Sequence, residues 1–215
     1  KNIMVKKGII LAGGSGTRLS PLTKAVNKQL LPINDKPLIF YPLSILMLAN
    51  IRDILIIVNP KQIENFKNLL GDGRRYGIKL QYKIQNKPKG LPEAFLLGKN
   101  FIKKENVALI LGDNFFYGQS LTAKLEKSLT HKNGARIFLK KVKKPDNYGV
   151  AVISKNKIEK LIEKPKKFIS NYAITGLYFF DNNVTDYAEK LKPSKRGELE
   201  IIDLLKIYKK NYKLN

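Results

Sequence analysis

An α/β fold, with a mixed, mainly parallel central sheet and helices on both faces, is what this sequence predicts. Three observations carry that expectation. Continuous aliphatic runs such as Ile54-Leu55-Ile56-Ile57-Val58 and Val107-Ala108-Leu109-Ile110-Leu111 read as strands buried on both faces, the pattern of parallel sheets. Amphipathic segments alternate with these runs as β-α units require. Beyond Ala135 the pattern turns strand-rich.

Taken in order, residues 8–12 read as a buried first strand. Residues 41–49 place apolar side chains at helical spacing. Residues 54–58 form the second strand, and the segment after Pro60 to residue 70 is a helix. Residues 80–84 alternate as a third strand, residues 93–101 are helical, and residues 107–111 are another buried strand. A helix follows over about 120–129. Segments 136–140, 149–153, 157–162 and 173–180 are extended, and helices over 184–191 and 198–208 complete the pattern. The reading is one domain, with a first half over about 7–130 and a second over about 135–215. Open α/β sheets bind ligands beyond the carboxyl ends of their strands. The informative loops are therefore those after Ala12, Ile84 and Leu111.

The 215 residues, 43% of them hydrophobic, are ample for a substantial core. No apolar run is long enough to span a bilayer. The basic start is followed by an apolar stretch too short for a signal-peptide core. With no cysteine, disulfides and thiolate metal sites are excluded. Together these features make a cytoplasmic protein with no membrane partner the expectation. The formal net charge is +24, from 41 Lys and Arg against 17 Asp and Glu. Such a balance suits polyanionic partners. The basic residues are nevertheless spread along a chain rich in lysine, isoleucine and asparagine, as compositional drift produces. No aromatic-basic stacking motif or DNA-reading module is present, so no specific nucleic-acid partner is expected.

The run Leu11-Ala12-Gly13-Gly14-Ser15-Gly16-Thr17-Arg18 follows the first strand. Glycines let backbone approach a ligand, and successive N–H groups can cradle phosphate oxygens. The dinucleotide fingerprint needs a glycine where Leu19 stands. The ATP-binding P-loop needs Gly-Lys followed by Ser or Thr, and here Gly16 precedes Thr17-Arg18. Neither motif fits, yet a plain strand-to-helix turn rarely needs three glycines. Phosphate binding is the expectation.

Leu-Ala-Gly-Gly-x-Gly-Thr-Arg-Leu, then Lys28-Gln29-Leu30-Leu31-Pro32 and Lys36-Pro37, resembles the signature of the sugar-phosphate nucleotidyltransferases. The similarity continues in Tyr41-Pro42-Leu43-Ser44, Leu69-Leu70-Gly71-Asp72-Gly73, Leu111-Gly112-Asp113-Asn114, Glu163-Lys164-Pro165, the stretch from Asn171 to Tyr178, and Arg196-Gly197-Glu198-Leu199-Glu200-Ile201. It covers nearly the whole chain from Lys7 to about Tyr208. The resemblance implies a Rossmann-like nucleotidyltransferase fold. It also implies dTTP and glucose 1-phosphate as substrates, Mg²⁺ as cofactor, and a homo-oligomer, a tetramer in the family.

In this family a sugar 1-phosphate oxygen attacks the α-phosphorus of a nucleoside triphosphate, and pyrophosphate leaves. Aligning two polyanions calls for fixed cations and a divalent metal, with no enzyme nucleophile. The single histidine, His131, is expected to be an ordinary surface residue. The resemblance implies that Arg18 contacts the triphosphate, where a guanidinium suits bidentate contact, and that Lys28 approaches the phosphates from the opposite side. It makes Asp113 a Mg²⁺ ligand, and Arg18, Lys28, Asp113 and Lys164 the catalytic set. It implies nucleotide contacts by Leu11, Gly13, Gly14, Gly16, Thr17, Gln85, Pro88 and Gly90 as well, with the Gln85 amide pairing the polar edge of thymine. The sugar phosphate falls to Asn114, Tyr148, Gly149, Glu163, Lys164, Ile174 and Tyr178, with Thr175 and Gly176 beside them. Thymine and uracil differ by one methyl, a weak basis for discrimination, so some tolerance for UTP is expected.

Family members continue past the position of Asn215. There they carry a Trp-x-Asp-Thr-Gly motif whose aspartate is the second magnesium ligand, and helices that support the subunit interface and a regulatory nucleotide site. This sequence has no tryptophan and no such motif; of a part of a longer protein, a truncated natural product and a complete short variant, the first is the expectation. Three rival readings follow: the same chemistry with UTP or another sugar phosphate, a non-catalytic nucleotide-binding remnant, and a basic nucleic-acid-binding protein.

Overall fold

The computed structural model describes residues 5–14, 16–130, 133–211 and 213–215, with Arg18 described by its backbone alone. The chain begins with strand β1 (Lys7–Ala12), the short helix α1 (Leu22–Ala25), a two-stranded ribbon of β2 (Pro32–Ile33) and β3 (Lys36–Pro37), and helix α2 (Phe40–Leu48). Strand β4 (Asp53–Val58), helix α3 (Ile63–Leu70), strand β5 (Lys79–Ile84), helices α4 (Glu93–Leu97) and α5 (Lys99–Ile102), strand β6 (Val107–Leu111) and helix α6 (Leu121–Leu129) follow. The remainder is β7 (Ala135–Lys141), β8 (Gly149–Ser154), β9 (Lys157–Glu163), β10 (Tyr172–Phe180), α7 (Val184–Glu189) and α8 (Ile201–Lys210).

Eight of these strands form one sheet in the order β5-β4-β1-β6-β10-β8-β9, with β7 also paired to β10. The aliphatic strands β5, β4, β1 and β6 are parallel to their neighbours. The later strands pair antiparallel, so the sheet is mixed with a parallel core. Alternate residues of each strand face opposite layers. Ile9, Leu55, Ile57 and Leu109 pack with Phe95, Ile102, Val184 and Leu205 of α4, α5, α7 and α8. Ile10, Ile54, Ile56 and Ile110 pack with Leu46, Phe66 and Leu125 of α2, α3 and α6. Helices on both faces are why these strands carry unbroken aliphatic runs.

The helix expected over 93–101 is instead two short helices that part at Gly98. A β-carbon there would stand 3.1 Å from Ile9 and 3.3 Å from Leu55, so the bare backbone lies against the sheet. The expected helix over 198–208 begins only at Ile201. Leu199 is extended and bridges Gly90. His131 lies outside the described residues.

The edge of β10 positions the site. Its C-terminal half pairs with β6 through Leu177–Phe180, and Ala173 pairs with Val150 of β8. Because β7 takes the opposite edge at both places, β6 and β8 share one edge and diverge across residues 174–176. That opening in the sheet exposes backbone of β10 to the loop after β6.

Candidate active site

A cleft of about 950 Å³ runs from the glycine-rich loop to the β8–β9 end of the sheet. Its first end is built by the loops after β1, β5 and β6, which the sequence marks as informative. Leu11, Gly14, Gly16, Thr17 and Lys28 line it, facing Gln85, Pro88 and Gly90. Arg18 has its backbone in the short turn Thr17–Leu19, and its side chain lies outside the described part of the structure. Gly13 is buried and acts from beneath. A β-carbon there would fall on Gln85 Oε1, so the missing side chain is what lets Gln85 reach the cleft.

Gln85 is only 3% exposed. Its backbone N–H donates to Val58 O at 2.8 Å, continuing the ladder past the strand end. Its Nε2 donates to Glu93 Oε2 at 2.7 Å, and the same oxygen accepts the Lys89 backbone N–H at 3.0 Å.

Lys28 sits on a turn pinned by a buried asparagine. Asn27 accepts from the Gln29 N–H at 2.9 Å and donates to Ala12 O at 3.3 Å, which fixes the turn to the end of β1. Lys28 Nζ then reaches Asp113 Oδ2 at 2.9 Å. Asp113 Oδ1 accepts from Asn114 Nδ2 at 3.1 Å, and Asn114 Oδ1 accepts the Gly176 N–H at 3.0 Å. That last bond fills the opening on the β10 edge, so the sheet's divergence is what holds Asn114.

The other end carries Tyr148, Gly149, Glu163, Lys164, Ile174 and Tyr178. Lys164 has φ 41°, a left-handed conformation uncommon for a side-chain-bearing residue. Its N–H donates to Tyr148 O at 3.1 Å, so the strained turn brings these two residues together. Burial, with Glu200 second, holds the Glu163 carboxyl above its ordinary range, against the pull of Lys164 and Arg196. Burial also raises Glu200, but the bonds from Arg196 and Ser194 outweigh it and leave that carboxyl below the ordinary range. The Tyr178 phenol is raised by burial and by Glu163.

Arg196 and Glu200 escaped the sequence-based site, although both lie in its Arg-Gly-Glu-Leu-Glu motif. Arg196 Nη2 donates to Glu200 Oε2 at 2.8 Å and stands 3.6 Å from Glu163 Oε1. Their i,i+4 spacing was the available signal. Gln29 was missed as well. It lines the cleft and its buried Oε1 has no hydrogen-bond partner among the described residues.

Among the described residues no group of three or more His, Asp or Glu could by itself hold a metal ion. Asp113 is a half-exposed carboxylate that already holds one cation, the Lys28 ammonium. One such carboxylate, completed by waters and substrate phosphates, is a donor set that suits Mg²⁺.

A Rossmann-like sheet that places a glycine-rich loop and fixed cations along one cleft defines a phosphate-handling transferase. Residues 7–215 match the nucleotidyl transferase family, and the chain belongs to it. Among its relatives is the glucose-1-phosphate thymidylyltransferase of Neisseria meningitidis serogroup A, 53% identical over 203 residues, which span 94% of this chain and 70% of that protein. The enzyme of that name from Mycobacterium tuberculosis strain H37Rv is 48% identical over the same shares. A Bacillus anthracis crystal structure, described as a glucose-1-phosphate thymidylyltransferase in complex with sucrose, superposes with TM-score 0.91 at 40% identity. It covers 97% of this chain and 85% of that one. A UDP-glucose pyrophosphorylase complexed with UDP-glucose gives 0.82 at 27% identity, covering 97% and 88%.

Proposed function

We propose that this protein transfers a thymidylyl group from dTTP to glucose 1-phosphate, giving dTDP-glucose and pyrophosphate, with Mg²⁺ as cofactor. The observation that carries this reading is one cleft lined together by the glycine-rich loop, the Lys28–Asp113 pair and the Glu163-Lys164-Arg196 group. Thymidylyltransferases at 53% identity, against 27% for the uridine-linked neighbour, favour dTTP over UTP.

In this reading a phosphate oxygen of glucose 1-phosphate attacks the α-phosphorus of dTTP. The bond from that phosphorus to the bridging oxygen breaks, and the electron pair leaves with pyrophosphate. Lys28 and Arg18 neutralise the triphosphate, and Lys164 and Arg196 draw in the sugar phosphate. Positioned cations of this kind act through charge and alignment. Asn114, Tyr148, Gly149, Glu163, Ile174 and Tyr178 form the sugar wall, where the half-buried Glu163 carboxylate accepts from sugar hydroxyls. Asp113 would hold Mg²⁺, which when bound supplies charge neutralisation across the phosphates. The test is pyrophosphate release from dTTP, UTP, dCTP and ATP in turn. Release that requires glucose 1-phosphate and is fastest with dTTP supports the reading, and release independent of any sugar phosphate overturns it.

A further inference from the structure

Glu93 has no place in the cleft, yet it fixes the side chain assigned to base reading. One carboxylate oxygen accepts both Gln85 Nε2, at 2.7 Å, and the backbone N–H of Lys89, at 3.0 Å. A carboxylate offers only acceptors, so the Gln85 nitrogen must face it. The amide oxygen is thereby turned to the opposite side, over the bare Gly13. The amide polarity of a glutamine is otherwise free to invert by rotation.

We infer that Glu93 is a positioning residue for base selection, one that locks the Gln85 amide so that an acceptor meets the base. The inference rests on the base-reading role proposed for the loop after β5. Thymine and uracil carry an N–H at ring position 3, which the locked Gln85 oxygen accepts. Cytosine carries a lone pair there, and two acceptors facing each other repel. Discrimination against cytosine thus comes from a built-in repulsive contact. The second bond, to Lys89 N–H, ties the adjacent turn to the same carboxylate and keeps Gly90 in register with Gln85.

The test compares dTTP and dCTP, by calorimetric binding and by competitive turnover with glucose 1-phosphate, in the wild-type protein and in Glu93→Met, Glu93→Gln and Gln85→Met. In Glu93→Met the preference for dTTP falls about tenfold or more, the range lost when a buried polar partner is left unmatched. The KM for dTTP rises in step, while kcat at saturating dTTP stays within about threefold of wild type, since uniform binding alone is lost. Glu93→Gln keeps most of the preference, because its amide oxygen can accept both bonds. Adding Glu93→Met to Gln85→Met causes no further loss of preference, and Glu93→Ala carries the same expectation with a smaller side chain. An unchanged preference in Glu93→Met, or equal weakening of dTTP and dCTP, overturns the inference. No preference for dTTP in the wild type refutes the base-reading role of the loop itself, a separate outcome.

Discussion

Lys28 and Asp113, 85 positions apart in sequence, meet at 2.9 Å across the cleft. The pair joins the turn after the glycine-rich loop to the loop after β6. It places an ammonium on the carboxylate proposed to hold Mg²⁺. Removing either partner therefore has two distinct effects. Asp113→Asn is expected to lower kcat about 100-fold or more, the scale of losing one preorganised charge contact, with thermal unfolding nearly unchanged. Lys28→Met is expected to raise the KM for dTTP and to tighten Mn²⁺ binding to the nucleotide-free protein, because the competing ammonium is gone. Mn²⁺ titration followed by electron paramagnetic resonance checks the second effect.

Arg18→Ala is expected to reduce turnover by about 100-fold or more, again the scale of a lost charge contact. Its Tm should stay within about 2 °C of wild type, as for a residue that serves the ligand and not the core. A large fall in Tm would make Arg18 a structural residue. Steady-state kinetics beside a thermal melt decide the matter.

Gly90 has φ 100°, and its bridge to Leu199 closes the base loop onto the segment that carries Arg196 and Glu200. A β-carbon there would fall on the Leu199 carbonyl oxygen. Gly90→Ala is expected to cost about 2 kcal/mol, lowering Tm by about 4–8 °C in a chain of this size. It should also weaken both substrates, because the bridge spans both ends of the cleft. Calorimetric melting and the two KM values measure this.

Glu163 is raised chiefly by burial. Its ionised form therefore costs the folded state stability at neutral pH, and that cost fades as pH falls through its folded value and the proton returns. Glu200 is net lowered, so its contribution runs the other way: present above the unfolded value and lost as pH falls through the folded one. Glu163→Gln is expected to raise Tm at pH 7 by about 1–3 °C, with the gain shrinking on acidification. The same variant should raise the KM for glucose 1-phosphate about tenfold, the cost of one charged hydrogen bond. Melts across the acidic range, with kinetics at pH 7, test both halves.

The fold was legible because its strands carry local signals. The runs 54–58 and 107–111 became β4 and β6, and the sheet is mixed and parallel at its core as expected. What escaped was set by distant partners. Gly98 breaks a helix because β1 and β4 lie beneath it. The segment before α8 is extended because Leu199 pairs with Gly90. The glycine-rich loop, Lys28, Gln85, Asp113 and Lys164 were marked from motifs, and apart from the Arg18 side chain and the buried Gly13 the marked residues line one cleft. Arg196 passed unselected because Glu163 meets it only in three dimensions, and its i,i+4 spacing to Glu200 reads alone as an ordinary ion pair. Glu93 passed because nothing along the chain tells a helix-start glutamate from one that grips a base-facing amide.

The most direct measurement is ³¹P NMR of the protein incubated with dTTP, glucose 1-phosphate and Mg²⁺. The account expects dTDP-glucose and pyrophosphate to appear in equal amounts, with no thymidine monophosphate and no consumption of dTTP when the sugar phosphate is left out. Hydrolysis of dTTP without the sugar phosphate, or no nucleotide sugar from any triphosphate, would contradict it.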